Sequence, residues 1–169
     1  MEHNVKREVE LYAEMCIWLQ QHLEDKKVYK NQKCKFVVVD CHSVYLDKIL
    51  EKHEIIKYYP QTVGLKIEID VLGIVIMESS ADIFFIEAKK TQLTLQNLGQ
   101  LLVYCKLCNP EEAFLLSSGG LGSLNKVLNN LNREDLLDYG SGKRIKKINV
   151  ARWDLARHTL DNQSLIPKL

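Results

Sequence analysis

The sequence lacks the features that mark membrane, secreted and repeat proteins. It contains no run of about 18 apolar residues, so no membrane-spanning helix is expected. The first residues, MEHNVKREVELYAEM, carry charges where a secretory signal is apolar, so we expect an intracellular protein. We find no repeat, low-complexity tract or linker, and 169 residues suit a single domain spanning residues 1–169.

A strong excess of either charge is also missing. The chain has 23 basic and 22 acidic residues and a net charge of +1. A protein that binds nucleic acid without specificity is usually more basic, so no basic surface over the whole chain is expected. A local basic patch is the remaining alternative. The run KRIKK at 143–147 is either a solvated strand edge or a contact for phosphates.

The five cysteines are an odd number, which does not suit a disulfide framework in an intracellular protein. Cys105 and Cys108 form a C-x-x-C, and with Cys34 and Cys41 they could form a zinc or iron–sulfur site. The C-x-x-C falls within a helical pattern rather than on a turn, however. Buried, unreactive thiols are therefore the favoured interpretation.

The hydrophobic periodicity predicts one α/β domain with a mixed β-sheet flanked by helices. The predicted helices are residues 3–25, 43–53 and 94–107, with one or two more in 124–137. The predicted strands are residues 35–40, 64–77 (kinked near Gly73), 81–90, 113–116 and 144–150.

The stretch ADIFFIEAKK, residues 81–90, ends an apolar strand with Glu87 and Lys89 two positions apart. Side chains at i and i+2 point to the same face of a strand, so a carboxylate and an ammonium group emerge together. Either the two groups form a surface ion pair that contributes ~0–1 kcal/mol, or a ligand holds them both.

Asp70 lies on the other arm of the predicted hairpin, and the turn at 78–81 would bring it close to Glu87. Two neighbouring carboxylates repel each other unless a cation lies between them. Mg²⁺ takes one or two carboxylates together with waters and a substrate phosphate. Lys89 would then orient or deprotonate the attacking water, or stabilise negative charge on the phosphate. Glu68, on the same strand face, is an alternative to Asp70.

Glu8 is a second unusual acid. On a helical wheel it lies between two apolar rows of the first predicted helix, where an unpaired charge is costly. It is therefore either a further acid of the site or a carboxylate that pairs with a backbone N–H or a basic side chain.

The arrangement of Asp70 and Glu87-Ala88-Lys89 at the end of an apolar strand resembles the PD-(D/E)xK nuclease superfamily. The following helix carries Gln100-Leu101-Leu102-Val103-Tyr104, which resembles the Q-x-x-x-Y motif of the RecB-like branch. The resemblance covers roughly residues 5–117 in the order α-β-β-β-α-β, with 118–169 as a C-terminal extension. Ile69 stands where the proline of the family name would be.

The resemblance implies a restriction-endonuclease-like fold and a Mg²⁺-dependent nuclease in which Mn²⁺ can substitute. It implies hydrolysis of DNA phosphodiester bonds to leave a 5′-phosphate, with an endonuclease favoured over an exonuclease. The implied catalytic residues are Asp70, Glu87 and Lys89, and the implied metal ligands are Glu8, Asp70, Glu87 and the Ala88 carbonyl. The implied substrate-binding residues are Gln100, Tyr104 and Lys90.

Two other functions remain open. The chain could be a nuclease-fold subunit that binds DNA or assembles on it without cutting, although such subunits usually lose one of the three catalytic residues. It could also be an RNA endonuclease, which the motifs do not distinguish from a DNA enzyme. By analogy with small one-domain nucleases, a homodimer is a further expectation.

Overall fold

A computed structural model describes residues 7–168 of the protein. The helices are α1 (Val9–Asp25), α2 (Lys27–Lys30), α3 (Leu46–Lys52), α4 (Leu95–Cys108) and α5 (Ser123–Asn125). The strands are β1 (Lys35–Asp40), β2 (Val71–Ile76), β3 (Ala81–Lys89), β4 (Glu112–Ser117), β5 (Asp138–Ser141), β6 (Arg144–Lys147), β7 (Asn149–Asp154) and β8 (Thr159–Leu160).

The protein is a mixed α/β fold built on a six-stranded sheet in the order β1-β2-β3-β4-β7-β8. Strand β2 is antiparallel to both β1 and β3, whereas β4 runs parallel to β3, and β7 runs parallel to β4. Strand β8 closes the sheet antiparallel to β7, while β5 and β6 form a separate hairpin. Apart from short helices, the elements from α1 to β4 follow the predicted order of α-β-β-β-α-β.

Helix α1 covers one face of the sheet. Its apolar residues recur every three or four positions, which places them on one side of the helix. This side packs on β1, β2, β3, β4 and β7, and its buried residues are Leu11, Tyr12, Met15, Leu19 and Leu23. The predicted helix 3–25 is confirmed from Val9 onward, and residues 3–6 lie outside the described part of the chain.

Helix α4 covers the other face and agrees with the prediction to within one residue at each end. It begins with a capping box, in which Thr94 and Asn97 each accept a hydrogen bond from the other's backbone N–H. It ends at Asn109, which has a left-handed conformation and precedes Pro110.

Within residues 7–168, no helix has the combination of length and apolar character that spanning a bilayer requires.

The predicted strand at 64–77 is too long, and the expected kink at Gly73 is wrong. Strand β2 begins only at Val71, and its pairing with β3 runs through Gly73 without interruption. The absence of a side chain at Gly73 instead makes room for residues of α1. A Cβ on Gly73 would lie 3.0 Å from a methyl of Leu19 and 3.1 Å from one of Leu23. Glycine therefore lets α1 approach the sheet closely.

The prediction of one final strand at 144–150 is also wrong. Residues 144–147 form β6, which pairs with β5 in the hairpin. Residues 149–154 form β7, which pairs with β4 in the main sheet and brings Trp153 into the core. The predicted helices 43–53 and 124–137 are shorter in the structure. The second consists of α5, a π-helical turn at Lys126–Asn130 and a 3₁₀ turn at Glu134–Leu137.

Gly99 offers a simple test of how α4 packs. It lies in the exposed interior of the helix, and a Cβ added there would have no atom within 4 Å. Gly99→Ala should therefore raise the free energy of unfolding by about 0.5–1 kcal/mol, measured by urea denaturation. Gly122→Ala is the control: Gly122 has a φ of +54°, and an added Cβ would lie 2.6 Å from the Leu93 carbonyl oxygen. If both changes destabilised the protein equally, the result would contradict the placement of Gly99 on the exposed side of α4, where a Cβ has room.

Candidate active site

The pairing of β2 with β3 brings Asp70 to the end of β3. The paired register stops at Val71 and Ile86, so Asp70 and Glu87 are the next residues beyond it on the two strands. The Ala88 N–H donates a hydrogen bond to Asp70 Oδ2 at 2.8 Å. The expected approach of Asp70 to the Glu87-Ala88-Lys89 segment is therefore confirmed as a matter of geometry.

Glu87 and Lys89 point to the same face of β3, as their spacing predicts. Lys89 Nζ lies 3.1 Å from Glu87 Oε1. The Glu87 side chain is only 7% exposed and that of Lys89 is 21% exposed, so this is not a solvated surface pair. Desolvating two charges costs free energy that a single ion pair does not reliably recover. Stability alone is thus a weak reason for this pair.

Glu8 also reaches the end of β3. It directly precedes α1, and its Oε2 accepts a hydrogen bond from the Lys90 N–H at 3.1 Å. Its Oε1 lies 4.0 Å from Lys89 Nζ. The structure thus brings Glu8 to the site. Glu8 also makes both contacts of the alternative interpretation, one with a backbone N–H and one with a basic side chain.

Tyr12 is a member of the site that the sequence analysis did not identify. Its hydroxyl donates a hydrogen bond to Asp70 Oδ1 at 3.0 Å, and the residue is 5% exposed. Tyr12 follows Glu8 by four positions, which is the spacing of neighbours on one helix face. That spacing is a usable signal in the sequence, but Tyr12 also belongs to the buried apolar side of α1, which conceals its polar role. Asp70 is therefore held at both oxygens, by α1 and by β3.

The site accumulates negative charge in a poorly hydrated place. Burial, and then the charge of Asp70, raise the pKa of Glu87 to about 7. Burial also raises the pKa of Asp70, against the opposing effects of the Ala88 N–H and Lys89. Burial alone would lower the pKa of Lys89, but the carboxylates of Glu87, Glu8 and Asp70 together outweigh it and raise that pKa. Lys89 thus compensates part of the negative charge of the neighbouring acids.

The donor set suits a hard divalent cation that keeps most of its water. Within residues 7–168, no group of three or more His, Cys, Asp or Glu side chains is placed so that it could hold a metal ion. Mg²⁺ does not require one, because it binds proteins through one or two carboxylates. Asp70 and Glu87 supply these. The Ala88 N–H bonds to Asp70, so the Ala88 carbonyl oxygen also lies on that side of β3.

The structure does not bring Gln100 and Tyr104 into contact with the carboxylates. Gln100 Nε2 donates to the Tyr104 hydroxyl at 3.4 Å, and the Tyr104 ring packs on the core beneath α4. Among residues 7–168, no hydrogen bond or ion pair joins either residue to Asp70, Glu87 or Lys89. Lys90 is next to the site, because its backbone N–H bonds to Glu8.

The loop after β4 holds the segment that follows Lys89. The Ser117 hydroxyl donates to the Thr91 carbonyl oxygen at 2.5 Å and accepts from the Gly119 N–H at 3.0 Å. The Ser118 N–H donates to the Lys89 carbonyl oxygen at 3.1 Å. A Cβ on Gly119 would lie 2.7 Å from the Thr91 backbone, so this close packing needs glycine. The loop at 117–122 thus has a structural role beside the site.

The basic run at 143–147 lies at the opposite end of the sheet. Lys146 Nζ donates to the Pro110 carbonyl oxygen, just before β4 begins, whereas Lys89 pairs with the last residue of β4. Arg144 pairs with Glu111 at 3.1 Å, and Lys147 pairs with Asp138 at 2.5 Å. These contacts favour the interpretation of the run as a strand edge with local partners.

The cysteines lie away from the site or deep in the core. Cys105 and Cys108 lie on the buried side of α4, and all five cysteines are free thiols. Burial raises the pKa of Cys108 to about 12 and that of Cys105 still further. Such thiols remain protonated at neutral pH and are poor nucleophiles.

Glu68, the alternative to Asp70, is exposed and lies outside the strand.

Comparisons of the chain with protein-family models, with curated proteins and with solved structures found no match. The functional argument therefore depends on the contacts among Glu8, Tyr12, Asp70, Glu87 and Lys89.

Proposed function

We propose that this protein is a divalent-metal-dependent deoxyribonuclease that uses Mg²⁺. The observation that carries the proposal is the meeting of Asp70, Glu87 and Lys89 at one end of β2 and β3. Glu8 reaches the same place from α1. Metal-dependent phosphodiester hydrolysis needs carboxylates for the cation and a cationic group close to the reacting phosphate. These residues supply both within one poorly hydrated site.

In this proposal, Asp70 and Glu87 hold the cation, the Ala88 carbonyl supplies a further oxygen, and Glu8 joins directly or through a water. When bound, Mg²⁺ would polarise the phosphate and lower the pKa of a bound water. The Tyr12 hydroxyl and the Ala88 N–H keep Asp70 oriented before the cation arrives. Fixed orientation of this kind lowers the cost of assembling the site.

Lys89 has the role of positioning the attacking water and stabilising negative charge on the phosphate. Its ammonium group has three hydrogen-bond donors. The ion pair between Lys89 Nζ and Glu87 Oε1, at 3.1 Å, holds that group beside the carboxylates. Water attacks phosphorus, the bond to the 3′-oxygen breaks, and the product carries a 5′-phosphate. Donors that are already placed where charge develops are among the strongest contributions to catalysis.

The element order from α1 to β4 also supports a restriction-endonuclease-like core within residues 7–117, to which β7 and β8 are added. Gln100 and Tyr104 would then contribute only after substrate binds, because they make no contact with the carboxylates in this structure. Two copies, each cutting one strand of a duplex, would be the matching assembly.

Lys89→Ala provides the direct test. Plasmid, linear, branched and single-stranded DNA are incubated with the protein and with Mg²⁺, Mn²⁺ or EDTA. The wild type should cut at least one substrate only with metal, and the variant should be slower by about 10²–10³-fold. Lys147→Ala is the matched control, since Lys147 also pairs with a carboxylate but lies near β5. It should cut like the wild type.

Other results would favour the alternatives. Equal binding of DNA by all variants without cutting under any metal would favour a non-catalytic subunit. Metal-dependent cutting of RNA alone would favour an RNA endonuclease. If Lys89→Ala and Lys147→Ala cut equally well, Lys89 would have no part in the reaction.

A further inference from the structure

The register of the parallel strands aligns three residues across the sheet. Lys89 at the end of β3 pairs with Ser117 of β4, and Ser117 pairs with Arg152 of β7. Partners in a sheet face the same side, so Arg152 emerges on the face of the sheet from which Lys89 emerges. Two strand spacings of about 4.8 Å separate them, which gives roughly 10 Å between the two backbones.

Arg152 lines a polar cleft together with Asp154 and Asp161. The cleft has a volume of about 500 Å³, and residues around β7 and β8 line it. A second arginine, Arg157, lies on the same cleft together with the amides of Asn162 and Gln163. The cleft therefore lies at the carboxyl end of the parallel strands, which is where ligands of open α/β sheets bind.

The two guanidinium groups retain their hydrogen-bonding capacity. Arg152 Nε lies 3.4 Å from Asp161 Oδ2, and Arg157 Nε lies 4.0 Å from Asp154 Oδ2. Within residues 7–168, neither guanidinium makes a hydrogen bond. Both side chains are more than half exposed, at 52% and 83%. An arginine held loosely by one carboxylate can still present its planar donors to a phosphate.

We infer that Arg152, with Arg157 beside it, binds the backbone phosphates of the DNA strand on one side of the cut. This inference rests on the proposed nuclease function. A strand of DNA advances about 3.4 Å per nucleotide, so a span of roughly 10 Å corresponds to about three nucleotides. Phosphate contacts fix the register of a nucleic acid without reading its sequence. Arg152 thus sets where the strand lies relative to Lys89.

Binding of a fluorescent 20-base-pair duplex is measured by anisotropy over a range of NaCl concentrations, with Ca²⁺ in place of Mg²⁺. Arg152→Ala should raise the Kd about threefold to tenfold and reduce the salt slope by about 1. Asp161→Asn should lower the Kd, because it removes the competing charge and keeps an oxygen for the Gln163 N–H. The two opposite shifts make the result independent of small changes in folding.

Arg144→Ala is the matched control. Arg144 is also exposed and paired with one carboxylate, but it lies at the opposite end of the sheet. It should leave the Kd and the salt slope unchanged. If Arg152→Ala and Arg144→Ala bind alike while the wild type cuts DNA, the inference fails and the nuclease proposal stands. If Arg152→Ala weakens binding but nothing is cut with any metal, Arg152 still contacts DNA phosphates, and both the nuclease proposal and the position of Arg152 relative to a cut fail.

Discussion

Glu87→Gln is expected to abolish DNA cleavage while leaving the folded, metal-free protein no less stable at pH 8. The substitution keeps the shape of the side chain but removes a negative charge from the proposed cation site, so the loss of rate should reach about 10³-fold. The charge of Glu87 is costly in the folded protein because the residue is 5% exposed and next to Asp70. Removing that charge should offset the loss of the contact with Lys89.

The dependence on pH has a definite sign. The pKa of Glu87 is raised to about 7, so the folded state holds this proton more tightly than the unfolded state does. The resulting stability is fully present below the ordinary glutamate pKa and is lost as the pH rises toward about 7. Thermal unfolding in EDTA should show this decline in the wild type and a flatter profile in Glu87→Gln.

Glu112→Gln is the matched control, with the opposite effect on stability. Burial alone would raise the pKa of Glu112, but hydrogen bonds from His22 and Lys26 lower it. Its charge therefore stabilises the fold at neutral pH, and this contribution is lost as the pH falls through the lowered pKa. Glu112→Gln should cost about 1–3 kcal/mol and leave cleavage unchanged. If both variants lost activity in proportion to lost stability, Glu87 would have only a structural role.

Leu19→Ala is expected to produce the largest loss of stability, about 2–5 kcal/mol. The Leu19 side chain is fully buried, and it occupies the space that Gly73 leaves on the sheet. Its removal would leave a cavity between α1 and β2. Ile17→Ala on the same helix is the control, because Ile17 is 74% exposed. It should change the free energy of unfolding by no more than about 0.5 kcal/mol.

A double variant tests the same contact directly. Gly73→Ala alone should destabilise the protein, because the new methyl would lie 3.0–3.1 Å from methyls of Leu19 and Leu23. In Leu19→Ala/Gly73→Ala the new methyl enters the space that Leu19 has left. The double variant should therefore lose less than the sum of the single variants, by about 0.5–3 kcal/mol in urea denaturation. Additive losses would show that the two residues do not share one packing site.

The centre of the candidate site was predictable because two local rules determine it. Alternation along a strand places Glu87 and Lys89 on one face, and a short turn closes the hairpin that brings Asp70 near. The contact between Tyr12 and Asp70 was not predictable in this way. Asp70 lies one residue before β2, and its side chain meets a residue 58 positions away on α1. Such a contact depends on how the helix packs on the sheet.

The C-terminal third was predicted less well because long-range pairing decides its structure. Residues 144–150 form an apolar and basic run that suits one strand, yet the chain divides there between the hairpin and the main sheet. The alignment of Arg152 with Lys89 follows only from the pairing of β7 with β4. No local pattern in the sequence contains that register.

The position of β7 has a consequence for how the chain acquires its structure during synthesis. Trp153 donates its indole N–H to Glu14, which lies 139 positions earlier in the chain. During synthesis, α1 leaves the ribosome long before β7 does. Until β7 is made, part of the apolar side of α1 stays uncovered. Pairings this distant slow folding, since a long loop must close before the contact is gained. Until then, the nascent chain exposes apolar surface of the kind that promotes aggregation.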